Sequence, residues 1–281
     1  MPTLTLGTFN VNNLFSRFNF RGELPAVKKG QPAVRSSVTF DLRDPSSFAL
    51  RTYRGDLVRG KPADERQLVA QRIKDMGADV LAVQEVEDID TLRRFNRDDL
   101  GRMYPFVVLV EGNDPRLIDV GILSRYPIGA VVSWQHARHP ADLSEPVFSR
   151  DLLQVEVLNQ QRTGVLFTLF NTHLKSHLVL GKDRAKGIQE ANERRRRQAE
   201  VIGLLAQHRL PGGARYAIVG DMNDPPDSPF LAPFAGPGAL GLVNALKTPK
   251  ETQPAKEDTP PPKTKAWTHR FKESGKPARY E

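Results

Sequence analysis

The sequence predicts an α+β protein built as a two-layer β-sandwich flanked by helices. Three observations carry that prediction. Apolar segments of strand length recur along most of the chain, helical stretches interrupt them only in places, and several of the apolar segments end in Asn, Gln, Glu, His or Asp.

Taken in order, Thr5-Leu6-Gly7-Thr8-Phe9-Asn10 opens the chain as a strand near residues 3 to 10. Residues 16 to 63 hold Arg, Lys, Gly and Pro around few apolar positions and read as a long irregular insertion that follows directly on Asn10 and Asn12. A substrate-covering role and plain disorder are both open for it, with Phe18, Phe20, Arg21, Phe40 and Arg54 as candidate contacts for bases. Asp64-Glu65-Arg66-Gln67 starts a helix that runs through Met76 and is closed by Gly77, and Asp88 caps a second helix toward Gly101. Strands are expected near 79 to 84, 106 to 111, 118 to 124, 128 to 134, 148 to 157, 164 to 171 and 215 to 220. A third helix spans about Asp183 to Gln207, with Ile188, Ala191, Ala199, Val201, Ile202, Leu204 and Leu205 on its buried face. Residues 247 to 264 form a Pro- and Lys-rich loop, and a strand follows near 265 to 271. No repeats interrupt this plan, and residues 1–281 read as a single domain.

At 281 residues and 39% hydrophobic, the chain can bury one substantial core. With no cysteine, disulfide scaffolds, thiolate chemistry and Cys-ligated zinc are excluded. Met1-Pro2-Thr3-Leu4 enters a strand without a basic and then apolar leader, and no apolar run approaches the length of a bilayer span, so the expectation is a soluble, cytoplasmic protein without membrane insertion. The net charge of +8 favours a polyanionic partner such as nucleic acid. Arg194-Arg195-Arg196-Arg197 occupies four successive helical positions and sweeps most of the way round the axis. The run is expected as a solvated face with one or two arginines along the core edge, the alternative being contacts to a nucleic-acid backbone.

Tyr216-Ala217-Ile218-Val219-Gly220-Asp221-Met222-Asn223 drives a buried strand into Gly-Asp-x-Asn, and Pro225 and Pro226 stop it. Alone, such a Gly-Asp is also an ordinary turn former that caps a backbone amide. Three further strands end comparably, in Asn10-Val11-Asn12, in Gln84-Glu85 and in Asn171-Thr172-His173. Converging strand ends of this composition make a site for one hard divalent cation and a phosphate, because carboxylate and amide oxygens suit Mg²⁺ or Mn²⁺.

In these motifs the chain resembles the endonuclease/exonuclease/phosphatase superfamily. Phe9-Asn10-Val11-Asn12, Gln84-Glu85, Asp119-Val120-Gly121-Ile122-Leu123-Ser124-Arg125-Tyr126-Pro127-Ile128, Asn171-Thr172-His173 and Gly220-Asp221-Met222-Asn223 occur in the family's order and cover nearly the whole chain. The resemblance implies a DNase I-like sandwich. It also implies a final Ile-Asp-Tyr strand and a Ser-Asp-His, neither of which occurs in these residues, so the fold is expected to be C-terminally incomplete and the activity correspondingly weakened.

By the same resemblance, Glu85 is the principal metal ligand, with Asn10 and Asn12 completing its surroundings. Asp221 orients or deprotonates the attacking water, and Asn223 holds that water or a phosphoryl oxygen. His173 and Asn171 contact the phosphate, His173 being able to donate a proton near neutral pH. Asp119 is assigned a structural role. His136, His139, His177 and His208 lack paired ligand spacing and are expected at the surface, with His177 close enough to Asn-x-His to lie behind the site. The implied activity is that of a metal-dependent phosphodiester hydrolase, a nuclease acting on DNA or RNA. Alternatives are a phosphatase or sphingomyelinase-like hydrolase using the same residues, and a non-catalytic polyanion-binding protein.

Overall fold

The computed structural model describes residues 3–15, 18–24, 34–40, 56–58, 61–114, 116–179, 183–235, 240–245, 270–271 and 279–280. The chain divides into two compact units, Met1–Asn223 and Asp224–Glu281.

In the first unit the elements run β1 (Leu6–Leu14), β2 (Phe18–Leu24), β3 (Val34–Phe40), β4 (Asp56–Val58), α1 (Ala63–Met76), β5 (Val80–Val86), α2 (Ile89–Asp98), β6 (Phe106–Leu109), β7 (Asp119–Ser124), β8 (Ile128–Ser133), β9 (Arg138–His139), β10 (Asp142–Pro146), β11 (Leu153–Leu158), β12 (Val165–His173), α3 (Arg184–Arg209) and β13 (Tyr216–Asp221). The second unit contains a short α4 (Ala232–Ala235) and an antiparallel pair of β14 (Arg270–Phe271) with β15 (Arg279–Tyr280).

Two four-stranded sheets form the sandwich, in the orders β1-β5-β7-β6 and β13-β12-β11-β8. Each contains one parallel pair, β1 with β5 and β12 with β13, and is otherwise antiparallel. The core lies in two layers. Val80, Ala82, Val120 and Ile122 of the first sheet pack against Leu153, Val155, Val157 and Leu169 of the second. The opposite face of the first sheet, through Leu81, Val83 and Leu123, packs on Ala70 and Ile73 of α1 and on Leu92 and Phe95 of α2. From Val80 to Val83 strand β5 is therefore apolar because both of its faces are covered, with even positions inward and odd positions toward the helices.

The helix signals act as the sequence predicts. Gly77 closes α1 in the left-handed conformation, with φ 59° and its N–H bonded to the Ile73 and Lys74 carbonyls. Asp88 caps α2 by accepting from the Thr91 N–H at 2.7 Å, and α2 ends at Asp98 rather than near Gly101.

Three expectations need correction. The stretch from 16 to 63 is not irregular throughout, since β2, β3 and β4 within it form an antiparallel sheet in the order β3-β2-β4. The side chains of Phe18, Phe20, Arg21 and Phe40, and Arg54 as a whole, lie outside the described residues, as does the loop 247–264. The strand expected over 148 to 157 begins only at Leu153, and a hairpin, β9 with β10, falls where none was foreseen.

The arginine run is the third. Arg195 is 0% exposed, and its guanidinium bonds the Lys175 carbonyl and Asn192 Oδ1. Arg194 reaches the carbonyls of Pro146 and Val147, Arg196 bonds Glu193 and Glu200, and Arg197 bonds Glu193 and Asp142. His139 joins the same belt through Glu200 Oε2 at 2.9 Å, so it is not a free surface histidine. The run sweeps the helix axis as expected, with Arg195 alone buried; Arg194, Arg196 and Arg197 stay partly exposed, and each also meets a carboxylate or a carbonyl of this chain. Together with Gln198, which accepts from the Lys175 N–H at 2.8 Å, Arg195 grips the backbone just past the end of β12. Among the described residues, no helix is long and apolar enough to cross a membrane.

Candidate active site

The polar strand ends form the top of the layer between the sheets. Following the inward face of each strand, Leu6 leads to Thr8 and Asn10, Val80 and Ala82 lead to Gln84, Leu169 leads to Asn171 and His173, and Ala217 and Val219 lead to Asp221. Side chains alternate with a period of two, so an apolar run that turns polar on one face delivers its polar groups in line with its core residues. The parallel registers place Asn10 beside Gln84 and His173 beside Asp221.

Glu85 escapes this alternation. Val86 packs in the helix-side core where parity assigns residue 85, and the β5–β7 register slips between Gln84 and Val86, so Glu85 is the extra residue of a bulge at φ 65°. The β1–β5 register slips between Asn10 and Leu14, where Asn12 and Asn13 stand at φ 52° and 60°. The two irregular strand ends meet: the Asn13 N–H donates to Glu85 Oε2 at 3.0 Å. With Asn223 at φ 52°, four of the seven described non-glycine residues with positive φ belong to this site. Backbone held in such sparsely populated regions gathers where function demands it.

Asp221 is the best-anchored group. Its Oδ2 accepts from Asn10 Nδ2 at 2.9 Å, its Oδ1 accepts from the Asn223 N–H at 2.9 Å, and His173 Nε2 stands 3.7 Å from Oδ2. Asn10 Oδ1 accepts from the Asn12 N–H at 2.8 Å, so one carboxamide both steadies Asp221 and closes the turn into Asn12, which itself stays exposed. Asn223 Nδ2 donates to the Leu174 carbonyl at 3.1 Å. Gly220 makes the close approach of β13 possible: at φ 137°, an added Cβ would stand 1.9 Å from the Thr172 carbonyl oxygen.

Asn171 behaves differently from the expectation of a phosphate contact. It is 0% exposed, its Nδ2 donates to the carbonyls of Val83 at 3.1 Å and Gly121 at 2.8 Å, and its Oδ1 accepts from Gln84 Nε2 at 2.8 Å. Both amide protons are spent on the facing sheet, so Asn171 clips the two sheets together beneath the site. His173 also departs from expectation. Burial, reinforced by Arg150, pushes its imidazole down to about 4 although Asp221 pulls the other way, so it is neutral near pH 7 and offers a neutral N–H rather than an imidazolium.

Arg150, Arg116 and Asp114 were not singled out from the sequence. Arg150 is 3% exposed, faces Asp114 Oδ2 at 3.2 Å and feels the charges of Glu85 and Asp221. Arg116 bonds Asp114 through two nitrogens at 3.0 and 2.8 Å. A signal existed: Val147-Phe148-Ser149-Arg150-Asp151-Leu152-Leu153 sets an opposite-charge pair inside an apolar stretch. Beside it, burial pushes the Asp151 carboxyl up to about 6 and the Asp119 carboxyl up to about 7, with the Gly112 N–H bonded to Asp119 Oδ1 at 2.8 Å opposing the latter shift.

The donor set suits a hard cation. Carboxylate and carboxamide oxygens of Glu85, Asp221, Asn10 and Asn12 gather at one sheet end, and His173 Nδ1 is buried there without a hydrogen-bond partner. No cluster of three His, Asp or Glu able to enclose a metal occurs among the described residues. Mg²⁺ is ordinarily held by one or two carboxylates together with water and substrate phosphate, so the residues present fit it.

A model of the Endonuclease/Exonuclease/phosphatase family matches residues 7–277. No curated protein matches the chain. Among solved structures, the human nocturnin catalytic domain with bound sulfate is 16% identical, with a TM-score of 0.45 and 67% of each chain covered. ANGEL2, a 2',3'-cyclic phosphatase in complex with adenosine-2',3'-vanadate, is 19% identical at a TM-score of 0.40, covering 58% of this chain and 45% of that one. An AP endonuclease from Archaeoglobus fulgidus is 20% identical at a TM-score of 0.39, covering 58% and 54%.

Proposed function

This chain belongs to the Endonuclease/Exonuclease/phosphatase family, and from that premise we propose that it is a metal-dependent phosphodiester hydrolase acting on nucleic acid. The observation that carries the reading is the anchoring of Asp221 by Asn10 and Asn223 beside His173, with Glu85 extruded by a bulge at the same sheet end.

Glu85 would hold the cation, assisted by the Asn10 and Asn12 carboxamide oxygens. A bound Mg²⁺ or Mn²⁺ would neutralise charge on the phosphate and on the departing oxygen. Asp221, fixed by two hydrogen bonds, orients the attacking water and accepts its proton. The second amide proton of Asn223 is available to a phosphoryl oxygen or to that water. His173, neutral, donates a hydrogen bond to the phosphate, and the Arg150 guanidinium beside it supplies the permanent positive charge that a neutral imidazole lacks. Asn171 is a positioning residue that keeps Gln84, and through it the start of the Glu85 bulge, at a set height. The net charge of +8 supports a polyanionic substrate.

The test is cleavage of supercoiled plasmid, single-stranded DNA and single-stranded RNA with Mg²⁺ or Mn²⁺, against chelator controls. Glu85→Gln and Asp221→Asn should each lower the rate by about 100-fold or more while the protein stays folded. Unchanged cutting in both variants would sink this site. Release of phosphate from monoesters with no cutting of any nucleic acid would turn the assignment to a phosphatase.

A further inference from the structure

A second feature lies at the same end of the second sheet as the candidate site. A groove of about 420 Å³ runs between α3 and the segment that follows β8. Its apolar floor includes Trp134, Pro140, Leu204 and Leu205, and its rim carries His136, Arg138, His208 and Arg209, all four of them exposed. No Asp or Glu lines it. The Arg209 guanidinium lies over the Trp134 ring, 5.6 Å from its centroid. Trp134 is held in place, since its Nε1 donates to Gln154 Oε1 at 2.9 Å and its backbone N–H donates to Asp151 Oδ1 at 2.8 Å.

The strand registers fix the position of this platform. Ser133 pairs with Leu153, Leu153 with Asn171, and Asn171 with Val219, so one row crosses the sheet from β8 to β13. Trp134 stands one residue beyond that row and His173 two, with only β11 between their strands. Neighbouring strands lie ~4.8 Å apart, so the Trp134 backbone stands roughly 10 Å along the sheet end from that of His173. The indole, bonded to Gln154 between the inward Leu153 and Val155, lies on the outer, α3-covered face, and a ligand joining the two sites passes around the sheet end. Asp151, which anchors Trp134, adjoins Arg150 of the candidate site.

We propose that this groove binds an unpaired nucleotide of a single-stranded polynucleotide whose scissile phosphate lies at the site of Glu85, His173 and Asp221; the inference rests on the nucleic-acid reading above. A pre-set aromatic plane beside cations matches a base and its flanking phosphates, the combination by which single strands are held without sequence readout. A purely apolar protein partner would leave the cations uncompensated. An acidic peptide would pair with the cations but would gain little from a fixed indole.

The test uses the full chain in an Asp221→Asn background, so that the probe survives. Binding of a fluorescein-labelled thymidine 12-mer is compared with that of an abasic strand of equal length and of poly-glutamate. Trp134→Ala and Arg209→Gln should each weaken oligonucleotide binding by about 10-fold, with Trp134→Phe restoring most of it and abasic-strand binding little changed. In the protein with Asp221 intact, the same substitutions should raise KM for the 12-mer and leave turnover of a small chromogenic phosphodiester unaltered. Oligonucleotide binding that is indifferent to both residues would overturn the proposal, as would equal losses for the abasic strand or poly-glutamate. Trp134-dependent base binding by a protein that hydrolyses no nucleic acid would uphold the groove, break its link to a scissile phosphate and sink the nucleic-acid hydrolase reading.

Discussion

In the β1–β5 half of the site the chain leaves regular strand geometry to present Glu85, whereas in the β12–β13 half His173 and Asp221 stay in unbroken register to the last residue. The first half relies on bulges and on Asn12, Asn13 and Glu85 at positive φ. The second relies on close packing, with Gly220 against the Thr172 carbonyl and α3 gripping Lys175 from behind. Under the proposed reading, a group that meets a cation must be freed from the alternation that would bury it, and a group that holds a water at a set angle gains from a rigid strand.

The largest disruption of this contrast should come from Gly220→Ala. The new Cβ has backbone, not a flexible side chain, in its way, so β13 must move off β12 and carry Asp221 with it. We expect a loss of about 3 kcal/mol or more in urea unfolding together with loss of activity. A variant as stable and active as the parent would show that the strand pair tolerates separation.

Next in size is Asn171→Leu, which removes the amide that bonds the Val83 and Gly121 carbonyls and leaves the Gln84 Nε2 only Thr8 Oγ1. The expected cost is about 2–4 kcal/mol, with KM for substrate changed far less than stability. A rise in KM without a stability loss would return Asn171 to the phosphate.

A smaller effect separates the halves by pH. Asp119 and Asp151 have folded-state values raised to about 7 and about 6, so the stability they contribute is complete below ~4 and is lost as pH rises through those values. His173 is lowered to about 4, so its contribution is complete above ~6.5 and is lost as pH falls toward 4. Asp119→Asn should therefore gain on the parent protein as pH rises from 5 to 8, by several degrees in Tm, and His173→Gln should gain as pH falls from 6.5 to 4. Tm differences that do not vary with pH would refute both assignments.

The smallest effect is expected from Asn13→Gly. Glycine relieves the positive φ, and the backbone N–H that serves Glu85 is retained, so stability should change by under about 1 kcal/mol and activity by about twofold at most. A large loss would mean that the Asn13 side chain itself takes part.

Much of this was legible in the sequence because periodicity and punctuation are local. Gly77, Asp88 and the apolar strands acted as their chemistry predicts, and polar groups at the strand ends meet in pairs, Asn10 with Asp221, Gln84 with Asn171 and His173 near Asp221. The Glu85 bulge was not legible, since the sequence reads as a strand over 79 to 84 that simply ends in Gln84-Glu85, and only the pairing with β1 and β7 reveals the extra residue. Nor was the full fate of the arginine run, because beside the nearby Glu193 and Glu200 its partners include Lys175, Pro146 and Asp142, which lie 20, 48 and 55 positions away.

By itself, then, the order of residues determined the family, the sandwich and the identity of the groups that meet, because strand parity and motif order survive without knowledge of neighbours. Which of those groups is free to act was decided only by tertiary structure. Asn171 and Asn223 belong to similar strand-end motifs, yet facing carbonyls consume both amide protons of the first and one of the second. His173 has an ordinary imidazole until burial beside Arg150 makes its charged form costly. Hydrogen-bond saturation and desolvation are properties of what surrounds a residue in space, and those surroundings are assembled from distant parts of the chain.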